Sequence, residues 1–354
     1  MTPRMGPAWL ILVLAFGSGF IADCFAGELD LPAPYEPRQA VAGTIRIWGH
    51  GAYAKSQDFI EGLVLAWEAG FNKQQPGVHF DNHLNGTAAA IGALYTGTGD
   101  LALMGREIWP PEVTAFEEVF DYEPTGLNVV TGSFNVRNRG YAIVIFVHKD
   151  NPFSQLTLAQ LDAIYGIEHR RGGQPIRTWG DLGLSGEWRD KRITLYGLPI
   201  ARGFGEYFED AVFLGSHKWK PALREFADLP GSKGGATDGG QRMLNAIAKD
   251  RYAIGYAGLV YHNPDVKPLA LAVKAGGPFI KPTQDGVTNH TYPLTRMITM
   301  FLNRAPGKPV DPKLREFLRY VLSREGQRAV IRDGHGYLPM LAPFATEELQ
   351  KLED

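Results

Sequence analysis

Residues 44–80 read TIRIWGHGAYAKSQDFIEGLVLAWEAGFNKQQPGVHF, and this stretch decides the fold. Thr44 to Trp48 alternates apolar and polar side chains, the period of a strand with one face buried. Gly49, His50 and Gly51 make a turn. Ser56 then stands as an N-cap, with Asp58 and Glu61 in the first helical turn. Phe59, Leu63, Trp67 and Phe71 recur every fourth residue, which lines them up on one helical face. Pro76 and Gly77 end that helix, and Val78-His79-Phe80 opens a second strand. The unit is strand, helix, strand.

The same alternation continues outward. A helix is expected over 88–95 after Asn85-Gly86-Thr87, a short strand over 101–104, and a helix over 111–120 with proline at its start. Residues 141–147 (YAIVIFV) form an unbroken apolar run of strand length, suited to a strand covered on both faces. Thr157 caps a helix that runs to Tyr165. Further strands are expected at 193–196, 253–256 and 297–302, and further helices at 205–213, 218–226, 241–248 and 312–322. Strands and helices in alternation imply α/β layers, whose ligands sit at loops leaving the strand ends.

Composition narrows the function. The chain has 354 residues, 36 Lys+Arg against 38 Asp+Glu, and a net charge of -2. That balance, with no basic run, excludes a nucleic-acid partner of the ordinary kind. One cysteine rules out an intrachain disulfide framework. No H-E-x-x-H, nucleophile elbow or phosphate loop is present, so neither a metal site nor a catalytic residue is assigned. The N-terminus reads as a secretory signal peptide: Arg4, the apolar run 9–16 (WLILVLAF), and small residues Cys24 and Ala26 before a cut at Gly27. A retained anchor is disfavoured by the shortness of the run, and a lipoprotein by Asp23 before Cys24.

Three glycine-bearing loops stand between a strand and a helix: Gly49 to Tyr53, Asn85 to Ala88, and Arg202 to Gly205. Backbone N–H groups there can hold an anion, although such glycines can equally serve only as turns. Arg106, at the end of a predicted strand, could fork onto an anionic ligand or sit at the surface.

Taken as a series, the motifs resemble the phosphate-binding proteins of ABC-type phosphate uptake. Gly86-Thr87-Ala88-Ala89-Ala90-Ile91 is followed by Gly99-Asp100-Leu101-Ala102 and Arg106. Ala253 to Leu259 is close to that family's A-I-G-Y-x-G-L, and Tyr292-Pro293-Leu294-Thr295-Arg296 to its Y-P-L-[ST]-R. Residues 317–336 with Tyr337-Leu338-Pro339 match its closing segment. The resemblance implies an α/β, two-lobed type II periplasmic-binding-protein fold, each lobe a mixed sheet flanked by helices, with two hinge crossover strands. After the signal peptide (1–26), lobe I would hold 40–143 and 263–354, and lobe II the inserted 144–262. Residues 141–147 would be one crossover.

It further implies a non-enzymatic, exported, monomeric protein without a cofactor. Such a protein captures inorganic phosphate or a related oxyanion in the cleft and serves a membrane ABC permease. The ligand-binding residues it points to are Gly51, Ala52, Tyr53, Gly86, Thr87, Arg106, Arg202, Gly203 and Gly205. The chain departs from the family at four positions. Tyr53 stands where the family has Thr, Phe204 where it has Ser, and Glu206 where it has Thr. Ile200 occupies the arginine position, with Arg202 nearby. These departures motivate an alternative, a sensory or interaction protein of the same fold that has lost phosphate binding.

Overall fold

Ile45 and Ile47 are fully buried while Thr44 and Arg46 are not, so the alternation read from the sequence becomes a strand with one face on a core. The computed structural model describes residues 29–51, 59–136, 140–201, 203–231 and 238–353. The signal segment and Ser56 lie outside these residues. No described helix is long and apolar enough to cross a membrane.

The chain runs β1 (Ala42–Gly49), α1 (Phe59–Phe71), β2 (Gly77–His83), α2 (Ala90–Tyr95), β3 (Leu101–Met104), α3 (Pro110–Phe120) and β4 (Thr125–Thr131). It continues through β5 (Val144–His148), β6 (Gln155–Thr157), α4 (Leu158–Tyr165), β7 (Thr194–Gly197), α5 (Gly203–Phe213), β8 (Arg224–Glu225), α6 (Gly239–Ile247) and β9 (Ala253–Ala257). It closes with β10 (Val266–Pro268), β11 (Ala270–Ala272), α7 (Gln284–Thr288), β12 (Met297–Leu302), α8 (Pro312–Val321), α9 (Arg324–Asp333) and α10 (Ala342–Gln350).

Two mixed sheets result. The first has the order β2-β1-β3-β12-β4, with β1 parallel to β2 and β3, and β12 antiparallel to β3 and β4. The second has the order β10-β5-β9-β7-β8, with β7 parallel to β8 and β9, and β5 antiparallel to β9 and β10. Each sheet has its own core. Leu63, Trp67 and Phe71 of α1 pack on the first, and the Trp67 indole N–H donates to the Gly326 carbonyl at 2.9 Å, tying α1 to α9. Truncating a side chain so enclosed costs about 3–5 kcal/mol. In the second core Phe208 of α5 stacks on Tyr256 of β9, with ring centroids 4.5 Å apart. The mixed sheets flanked by helices are the α/β layers expected.

Helix α4 starts where its cap predicts: Thr157 Oγ1 accepts the Gln160 N–H at 3.1 Å, and the Gln160 side chain accepts the Thr157 N–H at 2.8 Å. Three readings differ from the structure. Residues 218–226 form no helix. Trp219 makes a backbone bridge to Gly166, and Lys220 donates to the carbonyls of Ala163 and Ile176. Pro221 also denies a helix its hydrogen bond there. The apolar run 141–147 is divided: Val144 onward is β5 inside the second sheet, while Tyr141 to Ile143 belong to the connection between sheets. Finally, 263–294 keeps company with the second core. β10 pairs with β5, and Val287, Tyr292 and Leu294 are buried in that core, whereas the sequence reading assigns them to lobe I.

Two segments connect the sheets, and they hydrogen-bond to each other. The Gly132 N–H donates to the Arg296 carbonyl at 2.8 Å, and the Ile143 N–H to the Leu294 carbonyl at 3.0 Å. Gly132 is required by this crossing: a Cβ there would stand 2.2 Å from the Gly140 carbonyl oxygen.

Candidate functional site

The carboxyl ends of strands from both sheets face a common cavity of about 650 Å³. From the first sheet come His50 after β1, Thr87 after β2, and Gly105 with Arg106 after β3. From the second come Leu198 after β7, Asp228 after β8, and Tyr261 after β9. Tyr141 and Arg296 enter from the two crossing segments, and Gly203 and Phe204 from the first turn of α5. Strand ends are where α/β sheets present loops, and so where they bind ligands.

Thr87 begins the short turn that leads into α2. Its Oγ1 accepts the Gly105 N–H at 3.3 Å, which leaves its own hydroxyl hydrogen to donate elsewhere. Gly86 before it adopts φ 131, a conformation glycine tolerates, and its N–H is taken by the Gly49 carbonyl.

Arg106 is a clamped cation. Its two terminal nitrogens grip both Glu112 carboxylate oxygens at 2.8 and 2.7 Å, one of them also donates to the Glu107 carbonyl, and the guanidinium lies 3.6 Å over the Trp109 ring. Arg296 is buried and held the same way by Glu107, through Nε at 3.0 Å and Nη2 at 2.6 Å. The Phe204 and Tyr207 rings lie 4.7 and 5.2 Å from its guanidinium carbon. Burial opposes the Arg296 charge, but the Glu107 carboxylate outweighs it and holds the group above its ordinary value.

Aromatic rings wall the cavity. Tyr141 stacks on Phe204 with centroids 4.3 Å apart, and meets Tyr261 edge-on at 6.1 Å. Burial pushes both tyrosine hydroxyls up, so both stay protonated donors at neutral pH. Two carboxylates also line it. Asp228 accepts the Gly239 N–H at 2.7 Å and Asp238 the Gly240 N–H at 3.0 Å, so the first turn of α6 is already capped. Among the described residues no cluster of histidine, cysteine and carboxylate side chains suits a metal.

Of the residues singled out from the sequence, Thr87, Arg106 and Gly203 meet at the cavity. Gly51 and Gly205 are packing glycines. A Cβ would approach the Leu84 carbonyl oxygen at 1.8 Å in the first, and the Ile200 Cα at 2.5 Å in the second. Ala52, Tyr53 and Arg202 lie outside the described residues. Glu206 does not line this cavity. It lines a neighbouring one with Trp109, Ile200 and His217, and burial pushes its carboxyl up. Arg296, Tyr141 and Asp228 were not singled out as site residues. Arg296 closes a quoted motif, but only its partner Glu107, 189 residues earlier, makes it a cavity cation.

The geometry has counterparts among known proteins. A family model described as a PBP superfamily domain matches residues 39–325. The phosphate-binding protein PstS of Pseudomonas aeruginosa, strain PAO1, is 33% identical over 341 residues, which are 96% of this chain and 96% of that protein. Protein SphX of Synechococcus elongatus is 22% identical over 296 residues, 79% of this chain and 75% of that one. Among solved structures, PstS from Borrelia burgdorferi has a TM-score of 0.53 at 13% identity, covering 84% of this chain and 98% of its own. An ABC-type phosphate transport receptor from Vibrio cholerae has a TM-score of 0.50 at 18% identity, covering 84% and 99%. At such identities the two structures speak for the fold.

Proposed function

The chain belongs to the phosphate-binding protein family of ABC-type phosphate transporters, within the PBP superfamily, and from that premise we propose that it is an exported solute-binding protein capturing inorganic phosphate or a closely related oxyanion between its two sheets. It works by binding, without chemistry on the ligand, and delivers its cargo as a monomer to a membrane ABC permease. Export follows from the leader, with cleavage before Gly27.

The observation that carries this reading is the meeting of Thr87, Gly203, Arg106 and Arg296 on one cavity. A spare hydroxyl donor, the positive end of the 11-residue helix α5, and two guanidinium groups suit a tetrahedral anion. The ideal Cβ position of Gly203 lies 3.8 Å from the Arg296 side chain, so a ligand at the α5 terminus also reaches that cation. Thr87 and Gly203 donate directly. Arg106 and Arg296, held by Glu112 and Glu107, each contribute charge from within a pair, and Arg202, next to Gly203 in the sequence, adds a further cation. Gly51, Gly86 and Gly205 shape the loops. The sensory alternative is not favoured, because the 33%-identical relative is itself named a phosphate-binding protein.

We place the hinge at the paired crossing segments around Gly132 and Arg296. The two sheets, each with its own core, would rotate about it to close on the ligand. Calorimetric titration tests capture, and small-angle scattering tests closure. Saturable binding of one phosphate and a smaller radius of gyration in its presence are expected. The absence of phosphate binding by folded protein would sink the reading.

A further inference from the structure

A second cavity, of about 390 Å³, opens in the half built on the second sheet. Its wall is apolar, with Ile164 from α4, Ile193 and Leu195 from around β7, and Ile176 from the loop between them. Its rim is cationic, with Arg177, Arg192 and Lys220. No described residue lining it carries a carboxylate. The guanidinium groups of Arg177 and Arg192 are exposed and have no hydrogen-bond or ion-pair partner among the described residues.

The arginines on β1 and on the first cavity are treated differently. Arg46, Arg106 and Arg296 each face a carboxylate at 2.6–2.8 Å. Here three positive groups share one cavity with no counter-charge on its lining. Burial, and then the Arg177 charge, push the Lys220 ammonium down to about 8, although the Asp181 and Asp162 carboxylates just outside the lining oppose the shift. His169 adds a polar ring nitrogen. It lines the same cavity in a left-handed conformation, φ 50, and its Nε2 is sealed from solvent without a partner among the described residues.

An anion relieves the mutual repulsion of the rim, and an apolar body attached to it covers the isoleucine and leucine wall. We propose that this cavity is a second ligand site, separate from the one between the sheets, that takes a small amphipathic anion: an acidic head group on an aromatic or branched aliphatic body. Arg177 and Arg192 hold the head group, and Ile164, Ile176, Ile193 and Leu195 hold the body.

The test is calorimetric titration of the full chain with 4-phenylbutyrate, alongside its neutral amide and inorganic phosphate. Saturable binding of one 4-phenylbutyrate is expected, with the amide at least about tenfold weaker. An Arg177→Ala/Arg192→Ala double variant should lose about tenfold or more in affinity. Ala222→Trp, at an exposed position on the cavity, should block the site without altering charge. Both variants should keep the wild-type melting temperature and the wild-type response to phosphate. No saturable binding of 4-phenylbutyrate up to about 10 mM, equal binding of the amide, or undiminished binding by both variants would overturn the proposal.

Discussion

Replacing Thr87 by valine removes one hydroxyl and preserves the shape of the side chain. In the folded protein that oxygen accepts the Gly105 N–H at 3.3 Å, at the long end of hydrogen-bond distances. Its loss should therefore cost at most about 1 kcal/mol of stability. The cost to ligand binding is larger. Because the oxygen already accepts from Gly105, its hydrogen is the group left to face the cavity. A hydrogen bond to a charged acceptor contributes about 1.5–3 kcal/mol, and each 1.4 kcal/mol is about tenfold in affinity. Thr87→Val should weaken phosphate binding by about ten- to a hundredfold, while Thr87→Ser should keep most of it. Calorimetry gives the affinities, and urea unfolding separates them from any loss of fold. Phosphate affinity within about twofold of wild type, in a Thr87→Val protein of nearly wild-type stability, would refute the assignment of this hydroxyl to the ligand.

Other substitutions probe the frame. Arg296→Met strands Glu107 without its partner and should lower unfolding free energy by about 3 kcal/mol, the low end for a broken buried pair because Glu107 is partly exposed; urea melts read it directly. Gly132→Ala drives a Cβ toward the Gly140 carbonyl and should cost about 1–3 kcal/mol, with the radius of gyration no longer responding normally to phosphate. Glu206→Thr should leave phosphate affinity within about twofold in calorimetry, since that carboxylate lines a different cavity.

The pH profile of stability should carry the mark of His290. Burial pushes its imidazole from 6.5 down to about 4, beside Thr131 and stacked on Phe344. The unfolded chain then takes up the proton first as pH falls, so the contribution is complete above about 6.5 and is lost toward 4. Allowing for solvent at this partly exposed ring, about 1–2 kcal/mol should disappear over that window. A His290→Gln variant should show a flatter profile across the same range.

Much of the fold was legible because it rests on local rules. Alternation at Ile45 and Ile47, the fourfold spacing of Leu63, Trp67 and Phe71, and the Thr157 cap each act within one element. Where local signals competed with distant partners, the reading failed. Residues 218–226 look helical in isolation, yet Lys220 is drawn to carbonyls 57 and 44 residues away. The run 141–147 carries one apolar signal throughout, and nothing in that signal says where the crossing ends and the sheet begins.

The site divides along the same line. Sequence alone set the alternating α/β framework, the series of motifs that identify the family, and the candidacy of Thr87, Arg106 and Gly203, because these depend on residue type and spacing. Only the tertiary structure decided which charges are available. Arg106 is paired with Glu112 across a turn, Arg296 is paired with Glu107 from 189 residues away, both on the same cavity, and Glu206 faces a different one. The physical reason is that a charge's role depends on what lies within a few ångströms of it, and in a two-sheet fold with crossing segments those neighbours come from positions the chain order keeps far apart.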